Sequence, residues 1–340
     1  MLFCNNETQA ADQLRRLERL TDRVYVALQP HDQRFDDCNV SVVLRSDHVL
    51  IVDAPTDHEF IQQLVTDLKI LTDLPVRYLV NTHWHGDHTQ GNATFRNLLG
   101  DQLTIIGHRS LIEDVPTRAA QDFNDRIARL EAQIPLAKQQ LEKGLSLSGR
   151  ALSLQEQADQ QDAIANTETW LANNRDVVFL GPTLGYEQQL VLGDDTVPVH
   201  LIHVAAHTRG DTLVVVPGEN LLIAGDVIDE VPFAGHGFPR AWLQALNKIQ
   251  NEIKPTTIVP GHGAPVELKE IAPLIHYFES LVNQVSSGIA GGASLDELRS
   301  AVNVDESRKR LVGDDPRAQR FFDAVLPEAI ERAYQEITEG

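Results

Sequence analysis

Within seven residues, Thr82-His83-Trp84-His85-Gly86-Asp87-His88, this chain sets three imidazoles and a carboxylate at the end of an apolar run. Neutral imidazole and carboxylate are ligands that zinc accepts, and a loop can fold them around two ions as readily as one. The preceding Val76-Arg77-Tyr78-Leu79-Val80-Asn81 reads as a buried strand, so the box is expected at a strand's carboxyl end. A solvated cluster of polar residues fits that placement poorly. The box therefore demands a strand that ends in a metal-binding loop.

Four more segments place an Asp or His after an apolar run. They are Val49-Leu50-Ile51-Val52-Asp53, Ala206-His207-Thr208-Arg209-Gly210-Asp211, Leu222-Ile223-Ala224-Gly225-Asp226 and Ile258-Val259-Pro260-Gly261-His262. With the box, these resemble the five signature motifs of the metallo-β-lactamase superfamily, in the family's order. One motif is suggestive, but five in sequence are highly specific.

The resemblance implies an α/β protein, an αββα four-layer sandwich. It implies one metal site at His83, His85 and His207, a second at Asp87, His88 and His262, and Asp226 bridging them. The expected cofactor is two Zn2+, with iron or manganese as the alternatives. The expected nucleophile is a hydroxide shared by both ions, because each lowers the pKa of bound water toward roughly 7. Asp87 and Asp226 are the carboxylates expected to serve catalysis, and Asp53 is expected to orient a ligand imidazole or the loop that carries it. Trp84 and His236 are the candidate substrate contacts, set against a packing role for Trp84 and a plain loop role for His236.

The ligand types narrow the branch. A Glu at the second box position would favour flavin-linked di-iron relatives, but His85 stands there. The β-lactamase subclass with a Cys at the fourth motif is not matched, because this chain has Asp226. Where that subclass carries a Lys to grip the substrate carboxylate, Asp229 would repel it. The set looks more like glyoxalase II, lactonases and hydrolases related to SoxH. Glyoxalase II recognises glutathione through basic C-terminal residues, and here only Arg308-Lys309-Arg310 is comparable, a run that reads better as a solvated helix face.

Lys and Arg total 29 against 49 Asp and Glu among 340 residues, a formal charge of -20. Phosphodiester backbones are bound through cationic contacts, so nucleic acid is disfavoured as a partner, and so is an anionic membrane surface. Cys4 and Cys38 are too few for a disulfide framework or a Cys-based zinc site. No apolar stretch reaches transmembrane length, and Met1 to Cys4 is too short for a signal-peptide core. Met1 is the sole methionine, as in a chain trimmed at a processing site, so cytoplasm and periplasm both stay open.

Along the chain, strands at 24–28, 40–44 and 49–52 are expected before an amphipathic helix at 57–71. Further strands are expected at 103–106, 177–180, 188–192, 197–204, 213–216 and 221–224. The Gln-, Glu- and Ala-rich stretch at about 111–174 reads as a helical hairpin inserted between the sandwich halves. That hairpin is a packing element, a lid or a homo-oligomer contact, since an amphipathic helix buries one face against something. A helical tail is expected over about 265–340, all of it within one catalytic domain spanning 1–340.

The leading expectation is hydrolysis of a small-molecule ester, thioester, lactone or amide. Weak β-lactam hydrolysis, phosphodiester hydrolysis and metal-dependent binding without turnover are the alternatives.

Overall fold

A computed structural model describes residues 16–31, 33–193 and 197–339, apart from the Asn173 side chain. The first sheet joins β1 (Leu17–Arg19), β2 (Val24–Ala27), β3 (Val40–Leu44), β4 (Val49–Val52), β5 (Val76–Val80), β6 (Thr104–His108) and β7 (Leu184–Tyr186), in that order. The second joins β8 (Gln189–Leu192), β9 (Val199–Val204), β10 (Asp211–Val216), β11 (Leu221–Gly225), β12 (Thr257–Pro260) and β13 (Val266–Glu267). Strands β4 to β7 run parallel, as do β11 and β12; the other pairings are antiparallel.

Period-two alternation sorts the side chains into layers. In β4, Leu50 and Val52 point between the sheets, where they meet Val80, Leu201, Val214 and Val259. Val49 and Ile51 point outward, onto Phe60, Ile61 and Leu64 of the helix His58–Leu71. The outer face of the second sheet is covered by helices Pro239–Lys248, Ala272–Ala290 and Pro316–Glu339, with Trp242, Phe278 and Phe322 at their contact. Three apolar interfaces thus separate four layers, the expected αββα arrangement.

Asp57 starts the helix His58–Leu71, its side chain accepting from the amides of Glu59 and Phe60. The insertion forms helices Leu111–Asp114, Ala120–Glu142 and Leu154–Asn174, with a π-turn at Val115–Ala119 and a Ser153/Glu156 capping box. Pro273 occupies a first-turn position, as expected.

The strand expected at 177–180 does not form. Those residues run irregularly, and the edge strand is β7 instead, seven residues later at its start. Phe179 and Leu180 are pulled onto apolar surface as single side chains, which removes the regular pairing. The short edge strands β1 and β13 and the helix Asp305–Val312 were not evident from periodicity. Among the described residues, no helix is long and apolar enough to cross a membrane.

Candidate metal centre

All the motif residues gather at the carboxyl ends of strands. Asp53 follows β4, the His box follows β5, His207 follows β9, Asp226 follows β11 and His262 follows β12. His83, His85, His207 and Asp226 each offer one ligand atom within 4.8 Å of the others, and Asp87, His88 and His262 form a neighbouring group of the same kind. Asp226 lies between them. Its Oδ2 is 3.7 Å from His83 Nε2, 3.4 Å from His207 Nε2 and 3.5 Å from His262 Nε2. Its Oδ1 is 3.1 Å from His88 Nε2. Asp229 also reaches Asp226 and His262 as a third group.

The inward atoms fit a cation. His83 Nε2 and Asp226 Oδ1 are buried without a hydrogen-bond partner, a state that is costly unless an ion or water satisfies them. Burial holds the His83 and His85 imidazoles well below their usual pKa, as neutral bases ready to donate a lone pair. Burial opposes ionisation of Asp87, yet His88 and His262 hold its carboxyl below the usual range. The donor set is imidazole and carboxylate throughout.

Each outward ring nitrogen is also engaged, as rigid metal sites require. His88 Nδ1 faces Asp53 Oδ2 at 2.9 Å, and His83 Nδ1 faces Thr82 Oγ1 at 3.1 Å. His207 Nδ1 donates to the Phe233 carbonyl, and His262 Nδ1 to that of Asp37. His85 is turned the other way: its Nδ1 points inward, 2.9 Å from His207 Nε2, while its Nε2 meets His236 Nδ1 at 2.9 Å. His236 is thus placed behind a box imidazole. Trp84 is only 2% exposed and packs on Leu111, Val115, Ala119 and Phe179 under the insertion. It buttresses the box from beneath.

A cavity of about 120 Å³ opens onto these groups, rimmed by Phe35, Phe233 and Phe321. Phe35 and Phe321 meet edge to face at 5.8 Å. Arg34 fixes that rim, bonding Glu230 at 3.0 Å and Asp315 at 2.6 Å. Sequence reasoning missed Phe35, Phe321 and Asp37, because none stands in a motif and the first two converge from opposite ends of the chain. Asp37 accepts from the Thr56 and Asp57 amides and so ties the Phe35 loop to the segment after β4.

The family model described as the metallo-beta-lactamase superfamily matches residues 34–262. The chain belongs to the metallo-β-lactamase superfamily. The superfamily typically binds metal ions. A linear primary-alkylsulfatase from Pseudomonas sp. (strain ATCC 19151) is 22% identical over 303 residues, covering 84% of this chain and 53% of that protein. The stereoselective inverting sec-alkylsulfatase Pisa1 from Pseudomonas sp. superposes with a TM-score of 0.60 at 13% identity, over 95% of this chain and 50% of the other. A metallo-β-lactamase from Pontibacter korlensis gives 0.50 at 13% identity, over 77% of this chain and 98% of the other. The chain spans about half the length of these alkylsulfatases.

Proposed function

We propose that this superfamily member is a two-metal hydrolase of small-molecule esters, with zinc the favoured ion. The observation that carries this reading is Asp226, whose two oxygens face imidazoles of both groups at 3.1 to 3.7 Å. One carboxylate serving two neighbouring donor sets is what a bridged ion pair needs. Bound there, two divalent ions would supply water acidified toward neutral pH and Lewis-acid polarisation of the ester oxygen.

The chain's own groups then position and exclude. His83, His85 and His207 would hold one ion, and Asp87, His88 and His262 the other. The Phe35, Phe233 and Phe321 rim confines the reacting group to a small space and limits bulk water there. Asp53, Thr82 and the Phe233 and Asp37 carbonyls fix the imidazoles before substrate arrives.

Similarity to an alkylsulfatase over most of this chain favours sulfate esters beside carboxylic esters. A β-lactam carboxylate finds no lysine to grip it at this point of the cleft, where Asp229 reaches the Asp226 and His262 side instead. The test is metal content together with turnover of carboxylic-ester, lactone, sulfate-ester and phosphoester substrates and nitrocefin, before and after chelation. About two zinc per chain with chelator-sensitive ester turnover is expected; two ions with no turnover on any substrate would refute the hydrolytic reading.

A further inference from the structure

Beside the metal cavity lies a larger one of about 300 Å³, and the two share Asp229 and His262. A molecule reacting at the clustered imidazoles therefore has room for its remainder on the far side of those two residues. Four stretches of chain wall this groove: the segment after Asp226, the turn carrying His262, the β13 region with the start of helix Ala272–Ala290, and the helix Asp305–Val312. Ile228, Pro260, Val266, Leu274 and Leu311 supply apolar surface. Ile228 and Leu274 are themselves buried in the helical core, so that surface is held in place without a ligand.

Charged groups also line the groove, and each is engaged by the protein: Glu230 by Arg34 and Asp229 by the Val231 amide. Arg310 is paired with Glu306 at 2.5 Å, and the Glu270 carboxylate accepts from the Glu267 amide at 2.6 Å. What remains unengaged is the apolar surface, in a groove of ligand-pocket size continuous with the site of chemistry.

We infer that this groove is the subsite for an uncharged, flexible apolar chain on the substrate, so the preferred esters are those of linear acyl or alkyl groups. The inference rests on the ester-hydrolase reading for its catalytic arm only. Each methylene transferred from water into the groove should improve kcat/KM by about fourfold, until the groove is full.

The experiment uses the full chain and two variants that fill the groove from partly exposed positions, Val266→Trp and Leu311→Trp. The zinc-loaded proteins are given p-nitrophenyl acetate, butyrate, hexanoate and octanoate. Separately, decanol binding to the metal-free proteins is measured by calorimetry. For the unmodified protein the octanoate-to-acetate ratio of kcat/KM should be large, and it should fall at least tenfold in both variants. Decanol should bind the unmodified protein and lose that binding in both variants. An octanoate-to-acetate ratio that the two tryptophans leave unchanged overturns the subsite, as does decanol binding that is absent or survives both variants. If no ester is turned over, the hydrolase reading fails alone, and the decanol arm decides the groove by itself.

Discussion

Asp53 and His88 face each other at 2.9 Å across the carboxyl ends of two neighbouring strands, β4 and β5. The same carboxylate accepts from the Thr82 amide at 2.7 Å and the Thr82 hydroxyl at 2.8 Å. Asp53 adopts a left-handed backbone, φ 68°, to bring this about. Such strain in a non-glycine residue persists where the surroundings over-determine it, and here three hydrogen bonds do so. The Asp53→Asn substitution tolerates the backbone but cannot accept all three bonds. It should weaken binding at the Asp87, His88 and His262 group by roughly 10–100-fold, read by competition with a chromogenic chelator.

His236 should matter at the opposite group. Its Nδ1 accepts a hydrogen bond from the Nε2–H of His85 when His85 Nδ1 is turned to an ion. His236→Phe keeps a ring between Trp84 and Phe233 but removes that acceptor. About a tenfold loss of affinity for one ion of two is expected, with the second retained. Equal weakening of both ions, or of neither, would show that His236 does not orient His85.

Removing metal should also destabilise the fold. Without an ion, His83 Nε2 and Asp226 Oδ1 are buried with no hydrogen-bond partner, Oδ1 having only its contact with His88 at 3.1 Å, a cost that binding relieves. At free zinc one hundred times its dissociation constant, each ion adds about 2.7 kcal/mol. Chelation should therefore lower Tm by several degrees, and re-addition of zinc should restore it. An unchanged Tm would mean that the ions bind folded and unfolded chains alike.

Much of this architecture was legible because the candidate ligands sit where apolar runs stop. Val76 to Val80, Leu221 to Gly225 and Thr257 to Pro260 each end beside a His or Asp, so strand periodicity located the cleft as well as the sheets. Phe35 and Phe321 were invisible to that logic. Their encounter depends on Arg34 reaching Glu230 and Asp315, ion pairs 196 and 281 residues apart in sequence. The strand expected at 177–180 failed for a related reason: a short apolar run does not say whether it pairs as backbone or packs as side chains. Trp84 shows the same limit, since its position inside the box says nothing of which way the indole turns.

Acid sensitivity should come in part from His108, at the end of β6. Its ring stacks on His203 at 3.9 Å and 11°, with Ser110 on Nδ1. Burial, then His203, holds the His108 imidazole down to about 4, with Arg209 adding to the effect and Asp114 opposing it. A histidine with a depressed folded pKa charges first in the unfolded chain. Stability is then intact above about 6.5 and is lost as pH falls from there toward 4. Because the ring is half exposed, screening limits the contribution to about 1–2 kcal/mol. Urea unfolding from pH 8 to 5 should show a steeper acid loss in the unmodified protein than in His108→Phe. Parallel curves would remove His108 from the account.

The tightest sequence requirement near the cleft is at Gly261, next to His262. A Cβ on Gly261 would lie 1.9 Å from Asp226 Oδ1 and 3.0 Å from the Gly225 carbonyl carbon. The backbone cannot retreat easily, because the Gly261 amide donates to Gly225 at 2.9 Å while its carbonyl accepts from Asn39 at 2.7 Å. The side chain of Asp226 must give way instead, and Oδ1 is the oxygen that faces His88. Gly261→Ala should thus fold but lose affinity for the ion pair by about tenfold or more, the scale of a misplaced ligand. Gly218→Ala, where an added Cβ meets nothing within 4 Å, is the matched control. Zinc stoichiometry by mass spectrometry after dialysis separates the two variants. Two retained ions in Gly261→Ala would mean that Asp226 has slack to move without giving up its place between the two donor groups.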